Sequence, residues 1–282
     1  MYPTLIDFGT IFSFPLGIHS YGVMLATAFI TCSIILKHEL NRRGYVGDVA
    51  TTIIVAGAIG GIVGAKIYFI FLDGKIEVDE IFSPSGLVWY GGLIGGSAAV
   101  SWIIHRSPNP FLPTVDVLGP LLLLGYGIGR IGCLLAGDGD YGPPSDLPWA
   151  MAFPNGTVPT NVPVHPTPIY ETLLSVTFFA VIWSQRKKYV SIPGFVFGVS
   201  LILVGVERFF VEFWRLTPRV FPETSSLNWL TSPQVVSILL ICFGTFFTVW
   251  MHNRPRVAAE SEMPIPEPEK ETPRSNRRKR RR

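Results

Sequence analysis

The sequence predicts an all-α integral membrane protein with about seven transmembrane helices, and its composition, cysteine usage and apolar runs support this fold class. Of 282 residues, 48% are hydrophobic and only 15% are charged, whereas about a quarter of the residues in a soluble domain are charged. The mean hydropathy is +0.39. Three widely separated cysteines within apolar runs exclude a disulfide-stapled secreted domain. The apolar content likewise excludes a disordered chain.

Seven runs of mainly apolar residues are long enough to cross a bilayer as helices. They cover residues 17–36, 49–72, 87–104, 115–136, 169–183, 192–213 and 235–251. Turn-forming stretches rich in proline, glycine and serine separate several of them. We therefore predict a transmembrane bundle over residues 17–251, an outer-face arm at 1–16 and a tail at 252–282.

The positive charges predict the orientation of the bundle. The loops after the first, third and fifth runs, together with the tail, carry seventeen lysines and arginines, whereas the other loops carry three. Because cytoplasmic loops are enriched in these residues, the N-terminus is expected outside and the C-terminus in the cytoplasm. Residues 1–16 contain Asp7 and no lysine or arginine. They lack the positive region of a secretory signal, so we expect the first span to be retained.

The net charge of +3 belongs to the tail. Residues 252–282 hold ten basic residues and five glutamates, and the rest of the chain has a net charge of −2. Nucleic-acid binding is therefore not expected. The tail has the composition of a disordered segment. Its closing run, residues 277–282, predicts attraction to anionic lipid, with a topology signal or a plain solvated tail as alternatives.

Arg130 and Arg208 lie inside predicted spans, where an ionisable residue is costly and marks a functional candidate. Both fall in the outward half of their helices. Glu212 and Arg215 follow Arg208 at spacings of four and seven, which places all three on one helical face. Either this is a structural ion pair, or it is an anion site, since guanidinium groups match phosphate oxygens.

Further polar residues are expected at the same outer level of the bundle. They are His19, Tyr21, Tyr90, Asp138, Asp140, Tyr141, His165, Tyr170 and Glu171. Each alone could be an interfacial anchor, but together they predict a polar cavity open to the outer leaflet. The glycine pattern at residues 127–132 lies within a span and predicts close helix packing rather than dinucleotide binding. The histidines and acids lack the paired spacing of a zinc site, so no metal is expected.

Several blocks resemble the prolipoprotein diacylglyceryl transferase family. Residues 129–142, GRIGCLLAGDGDYG, resemble its signature segment, and residues 165–171, HPTPIYE, are similar to its H-P-[ST]-x-x-Y-E block. Residues 208–215, RFFVEFWR, resemble its R-F-x-x-E-x-x-R block, and Tyr21-Gly22 and residues 91–95 also align. The resemblance covers roughly residues 15–250 in the family's order.

The resemblance implies an enzyme of the bacterial cytoplasmic membrane with an outward-facing site. Such an enzyme moves the diacylglyceryl group of phosphatidylglycerol onto the lipobox cysteine in the signal peptide of a preprolipoprotein, releases glycerol phosphate and uses no cofactor. In this reading Arg130 and Arg208 are catalytic and stabilise the phosphate leaving group. Glu212 orients Arg208. The expected substrate-binding residues are Arg130, Tyr21, Asp138, Gly142, Tyr170, Glu171 and Glu212.

The chain departs from the family pattern at three places. Tyr90 stands where the family typically has a histidine, Cys133 and Ala136 replace two asparagines, and Asp138 replaces a glutamate. A tyrosine, with a pKa near 10, is a poor base but can donate a hydrogen bond. We therefore expect a catalytic role for Tyr90 as a donor.

His165 is the first candidate for the base in place of the family histidine, and His19 is the second. Two alternatives stay open: a lipid-headgroup transferase with another acceptor, and a non-catalytic lipid-binding membrane protein.

Overall fold

The computed structural model describes residues 2–11, 14–73, 88–220, 225 and 227–255. Within these residues the chain forms seven α-helices. They are α1 (Ser20–Arg42), α2 (Val49–Asp73), α3 (Trp89–Arg106), α4 (Phe111–Ala136), α5 (Thr167–Gln185), α6 (Phe195–Val211) and α7 (Ser232–His252). Each helix overlaps one of the predicted apolar runs. The expected tail falls almost entirely outside the described residues.

Four of the described helices are long and apolar enough to cross a membrane, and they confirm a membrane protein with transmembrane helices. They are Ser20–Arg42, Val49–Leu72, Phe111–Ala136 and Ser232–His252. Four of the seven predicted spans are therefore supported by the length and composition of the helices. α6, with 17 residues, is the shortest of the seven described α-helices. The crossing of α3, α5 and α6 stays a prediction.

Two small antiparallel sheets correct the expectation of a purely helical chain. β1 (Thr4–Ile11) pairs with β2 (Phe14–His19), and β2 leads directly into α1. β3 (Met151–Phe153) pairs with β4 (Thr160–Val164) in the connection between α4 and α5. In both hairpins, pairing satisfies backbone groups that lie outside any helix.

Glycines bring two pairs of helices into backbone contact. The glycines of α2 at positions 57, 60, 61 and 64 face those of α3 at 91, 92, 95 and 96. A Cβ atom at Gly60 would lie 2.7 Å from the carbonyl oxygen of Gly95. α6 and α7 pack in the same manner around Gly205 and Gly244. The spaced glycines of α2 therefore serve helix packing.

α4 is the central helix, because it packs against α1, α5 and α6. Asp116 near its start accepts hydrogen bonds from the backbone N–H groups of Gly194 (2.6 Å) and Phe197 (2.8 Å). The carboxylate thereby caps the N-terminus of α6 from a neighbouring helix. α4 and α6 then run side by side toward one end of the bundle, hereafter the site end. The other end, where α1, α5 and α7 terminate, is the far end.

Candidate active site

Three arginines and three carboxylates meet at the site end. They are Arg130 of α4, Asp140 of the following loop, Glu171 in the second turn of α5, Arg208 in the last turn of α6, and Glu212 and Arg215 just beyond it. We call these six residues the site cluster. Its members come from four separate segments of the chain, and each arginine contacts at least two of the carboxylates.

Glu171 is the centre of the site cluster. One oxygen, Oε2, pairs with Nε of Arg130 at 2.9 Å. The other, Oε1, pairs with Nη1 of Arg208 at 3.0 Å and lies 3.4 Å from Nη1 of Arg215. The Glu171 side chain is 0% exposed. A carboxylate so deeply buried is stable only because it is paired, and here the partners are three cations.

Glu212 holds Arg208 from the opposite side. Its Oε2 pairs with Nη2 of Arg208 at 2.8 Å, so the expected i,i+4 ion pair forms. Its other oxygen accepts a hydrogen bond from the Thr231 hydroxyl at 2.9 Å, at the residue that precedes α7. Arg208 is therefore fixed between two buried carboxylates. This arrangement defines the direction of its guanidinium group.

Asp140 bridges the other two arginines. Its Oδ2 pairs with Nη1 of Arg130, and its Oδ1 lies 2.5 Å from Nη2 of Arg215. Burial disfavours the charged form of Asp140, but the two guanidinium groups outweigh it and hold the pKa of the carboxyl below its ordinary value. Asp140 is consequently ionised at neutral pH. Its stabilising contribution would be lost only as the pH falls below that ordinary value.

Tyr126 is a member of the site that sequence analysis missed. Its hydroxyl donates a hydrogen bond to Oε1 of Glu171 at 2.9 Å. Its ring centroid lies 4.8 Å from Cζ of Arg130, a cation–π contact. Tyr126 looks like an ordinary member of an apolar run, yet it precedes Arg130 by four residues. That spacing places the two on one helical face and is the signal that could have identified it.

His165 and Tyr170 form a second polar group beside the site cluster. Nδ1 of His165 lies 3.2 Å from the Tyr170 hydroxyl, which also accepts a hydrogen bond from Nε1 of Trp149 at 2.8 Å. The Tyr170 ring meets Trp214 edge-on, with centroids 6.3 Å apart. Trp214 directly precedes Arg215 in the chain, so the group formed by His165 and Tyr170 lies next to the site cluster.

Gly142 fits this corner because it has no side chain. Its N–H donates to the carbonyl oxygen of His165 at 2.8 Å, and a Cβ atom there would lie 3.0 Å from Cβ of His165. The same Cβ atom would overlap the Trp214 carbonyl oxygen. Gly142 therefore acts through close backbone approach rather than through a functional group of its own.

Tyr21 and Asp138 line a separate cavity of about 470 Å³ at the site end. Its lining residues are Pro3, His19, Tyr21, Gly22, Ala136, Asp138 and Thr157. Of the sequence candidates, this cavity collects His19, Tyr21 and Asp138. The hairpin β1–β2, the start of α1 and the end of α4 thus line an open pocket that is large enough for part of a substrate.

Cys133 lies between this cavity and the site cluster. Its Sγ is 3.6 Å from Nη1 of Arg130, and its ligand atom and those of Asp138 and Asp140 all lie within 4.8 Å of one another. Such a set can in principle hold a metal ion, which the spacing in the sequence did not predict. Arg130 already contacts both the sulfur and the Asp140 carboxylate. The positive charge at this point is therefore supplied by the protein itself.

Tyr90 belongs to a different part of the bundle. It lies in the first turn of α3 and is 38% exposed. α3 packs chiefly on α2, whereas the arginines of the site cluster lie on or just beyond α4 and α6. The packing of the α2–α3 pair on the rest of the bundle therefore determines where Tyr90 lies relative to the arginines.

The fold and the site together define a membrane protein whose helices enclose a charged, arginine-rich site at one end of the bundle. The model of the family described as prolipoprotein diacylglyceryl transferase matches residues 9–250. The chain belongs to the prolipoprotein diacylglyceryl transferase family.

Curated relatives carry the name phosphatidylglycerol–prolipoprotein diacylglyceryl transferase. The one from Clostridium tetani is 36% identical over 239 residues, which cover 83% of this chain and 93% of the relative. The one from Photobacterium profundum is 28% identical, covering 91% and 96%. The one from Leptospira interrogans is 29% identical, covering 82% and 88%. The similarity thus extends over nearly the whole length of these relatives.

Proposed function

We propose that this protein transfers the diacylglyceryl group of phosphatidylglycerol to the lipobox cysteine of preprolipoproteins. The observation that carries this proposal is the site cluster, formed by the same blocks that the sequence shares with the family. A concentration of guanidinium groups inside an apolar bundle suits a lipid whose headgroup is an anionic phosphodiester. The headgroup phosphate of such a lipid would bind at these arginines.

The reaction is a displacement at a glyceryl carbon. The cysteine sulfur forms a C–S bond to that carbon, the C–O bond to phosphate breaks, and glycerol phosphate leaves with the bonding electrons. The thiol proton passes to a base and from there to the released phosphate or to water. Arg130 and Arg208 bind the phosphate and stabilise the negative charge that gathers on it, and such electrostatic stabilisation is commonly the largest contribution to catalysis.

Glu171 and Glu212 orient these arginines through the ion pairs at 2.9, 3.0 and 2.8 Å. Fixed guanidinium groups need no reorganisation when charge develops on the leaving group. Tyr21 and Asp138, which line the 470 Å³ cavity, position the donor lipid or the acceptor peptide by hydrogen bonds.

His165 is the proposed base. A thiol with a pKa near 8.5 is mostly protonated at neutral pH, so a base near the sulfur increases the reactive thiolate. The Tyr170 hydroxyl, 3.2 Å from Nδ1, fixes the His165 ring, and Trp149 in turn fixes Tyr170. Tyr90 serves as a hydrogen-bond donor to the phosphate rather than as a base.

The proposed topology places the site end at the outer leaflet of the bacterial cytoplasmic membrane. All seven helices span the membrane in this arrangement, with the N-terminus outside and the C-terminus in the cytoplasm. Residues 1–16 lie at the outer face, and the basic tail at 252–282 lies near anionic lipid of the inner leaflet. The distribution of lysine and arginine supports this orientation.

The test is a direct assay of both products. The purified full-length protein is given phosphatidylglycerol and a lipobox peptide, and the peptide mass and released glycerol phosphate are followed together. We expect a diacylglyceryl mass gain on the peptide cysteine with equimolar glycerol phosphate. Release of glycerol phosphate without peptide modification would indicate another acceptor. Lipid binding with neither product, while a characterised family member is active in parallel, would instead indicate a non-catalytic lipid-binding protein.

A further inference from the structure

Asp140 occupies the place between Arg130 and Arg215 where a bound anion would sit. Each of its carboxylate oxygens pairs with a different arginine, Oδ2 with Nη1 of Arg130 and Oδ1 with Nη2 of Arg215 at 2.5 Å. A phosphodiester also presents two unesterified oxygens. Guanidinium groups bind carboxylates and phosphates with similar paired geometry. The two arginines therefore form a seat for one anion, and a side chain of the protein fills it.

Asp140 is the most accessible carboxylate of the site cluster. Its side chain is 33% exposed, whereas those of Glu171 and Glu212 are 0% exposed. Its backbone is held independently of the carboxylate: the carbonyl oxygen accepts a hydrogen bond from the Thr167 hydroxyl, and the N–H donates to Asp138 at 3.2 Å. The carboxylate can therefore leave the arginines by rotation of its side chain while the loop stays in place.

The charge balance of the site cluster favours this exchange. Its three arginines are matched by three carboxylates, so the resting cluster has no net positive charge to offer an incoming anion. The buried Glu207 adds a further carboxyl group in electrostatic contact with Glu171 and all three arginines. A phosphodiester bound beside Asp140 would meet like charge. When Asp140 turns toward solvent, Arg130 and Arg215 are free to bind the phosphate.

We propose that Asp140 is a resident anion that fills the phosphate seat of Arg130 and Arg215 and gives way to the phosphodiester of the lipid substrate. This inference rests on the proposed function and deepens it, because it adds Arg215 to Arg130 and Arg208 as a phosphate-binding arginine and names the group that the phosphate displaces. Asp140 is then a specificity-determining residue. Displacement of Asp140 breaks its ion pairs with Arg130 and Arg215. Only a ligand that pairs with both arginines compensates for this loss, so a neutral lipid is not expected to displace Asp140.

The test compares glycerol phosphate binding to the purified full-length wild-type protein and to two variants. Asp140→Asn removes the competing charge with little change in size, and Asp146→Asn removes an exposed acid from the same loop as a matched control. We expect Asp140→Asn to bind about tenfold tighter, since apparent affinity scales with the fraction of molecules whose seat is free. Asp146→Asn should bind like the wild type. Unchanged or weaker binding by Asp140→Asn would overturn the inference and make Asp140 a residue that only holds the arginines in place.

A second variant guards against loss of folding. Asp140→Ser is compared with the wild type by the rise in melting temperature that glycerol phosphate produces, which reports binding to the folded state. A larger rise in the variant supports the resident anion, and an equal or smaller rise contradicts it. Neither measurement needs turnover. A wild-type protein that binds glycerol phosphate but transfers no diacylglyceryl group would therefore refute the proposed function alone, whereas normal transfer without tighter binding by Asp140→Asn would refute only the seat.

Discussion

The two ends of the bundle carry the same motif, a buried glutamate surrounded by three arginines, in two different settings. At the far end, Glu39 pairs with Arg42 at 2.6 Å, Arg43 at 3.2 Å and Arg186 at 3.0 Å. We call these four residues the far-end cluster. At the site end, Glu171 is the corresponding residue, and both glutamates are 0% exposed. Burial of one glutamate among three arginines therefore does not distinguish a catalytic site from a cluster that only holds helices together.

The surroundings of the two glutamates make the distinction. The far-end cluster joins the C-terminal ends of α1 and α5, and Arg43 lies 3.4 Å from the Pro113 carbonyl oxygen at the start of α4. Arginines near helix C-termini also interact favourably with the helix dipoles. Each cluster has one arginine over an aromatic ring, but the site cluster adds two carboxylates and a neighbouring 470 Å³ cavity. The two ends therefore differ in the partly exposed anion Asp140 and not in their buried ion pairs.

Removing an arginine tests the comparison most strongly. We expect Arg130→Ala and Arg208→Ala each to reduce diacylglyceryl transfer by about 100-fold or more, as loss of a charge-stabilising group does in other active sites. Arg186→Ala at the far end removes an equally buried partner of a glutamate and should leave the specific activity of the folded protein nearly unchanged. The measurement is the rate of peptide mass gain per folded molecule. Near-normal rates in both site-end variants would remove the arginines from the mechanism.

Replacing the central glutamates separates stability from activity. Glu171→Gln and Glu39→Gln each leave three arginines without their shared anion, and breaking a buried ion pair in this way costs about 3 to 5 kcal/mol. We expect both variants to melt at clearly lower temperatures. Only Glu171→Gln should also lose turnover when assayed well below its melting temperature. Equal loss of turnover in the two variants would show that the effect of Glu171 is purely structural.

Tyr126→Phe is expected to have a smaller effect than the loss of an arginine or of Glu171. The variant keeps the ring beside Arg130 but loses the hydroxyl hydrogen bond to Glu171, and a hydrogen bond to a charged group contributes about 1.5 to 3 kcal/mol. We expect about a tenfold lower kcat with a smaller change in KM, because a less rigid Glu171 holds the arginines less well in the transition state.

Trp183, whose ring lies 3.9 Å from Cζ of Arg186, provides the matched control for Tyr126. Trp183→Leu should lower the melting temperature without changing the ratio of kcat to KM. A Tyr126→Phe enzyme with normal kcat would show that the hydroxyl only fills space.

The sequence predicted the helices well because apolar runs of sufficient length have few other stable conformations in a membrane. The Arg208–Glu212 pair was also predictable, since a spacing of four places both residues on one helical face. The convergence on Glu171 was not, because it depends on how α4, α5 and α6 pack. The contact between Asp140 and Arg130 was not predictable either, because it depends on a turn at Gly137 and Gly139, both of which have positive φ. The two hairpins lie before α1 and in the connection between α4 and α5, and neither segment carries a strong alternating pattern.

Tyr90 offers the smallest expected effect and tests the departure from the family pattern. Tyr90 is partly exposed, so a water molecule can replace the hydrogen bond that its hydroxyl is proposed to donate to the phosphate, and Tyr90→Phe should lower turnover by about threefold or less. Tyr189→Phe, in the short helix Arg186–Tyr189 at the far end, is the control for loss of a tyrosine hydroxyl. Tyr90→His should be tolerated, because the family typically has histidine here. A loss approaching that of Arg130→Ala would contradict this expectation, because it would show that water cannot replace the Tyr90 hydroxyl at the phosphate.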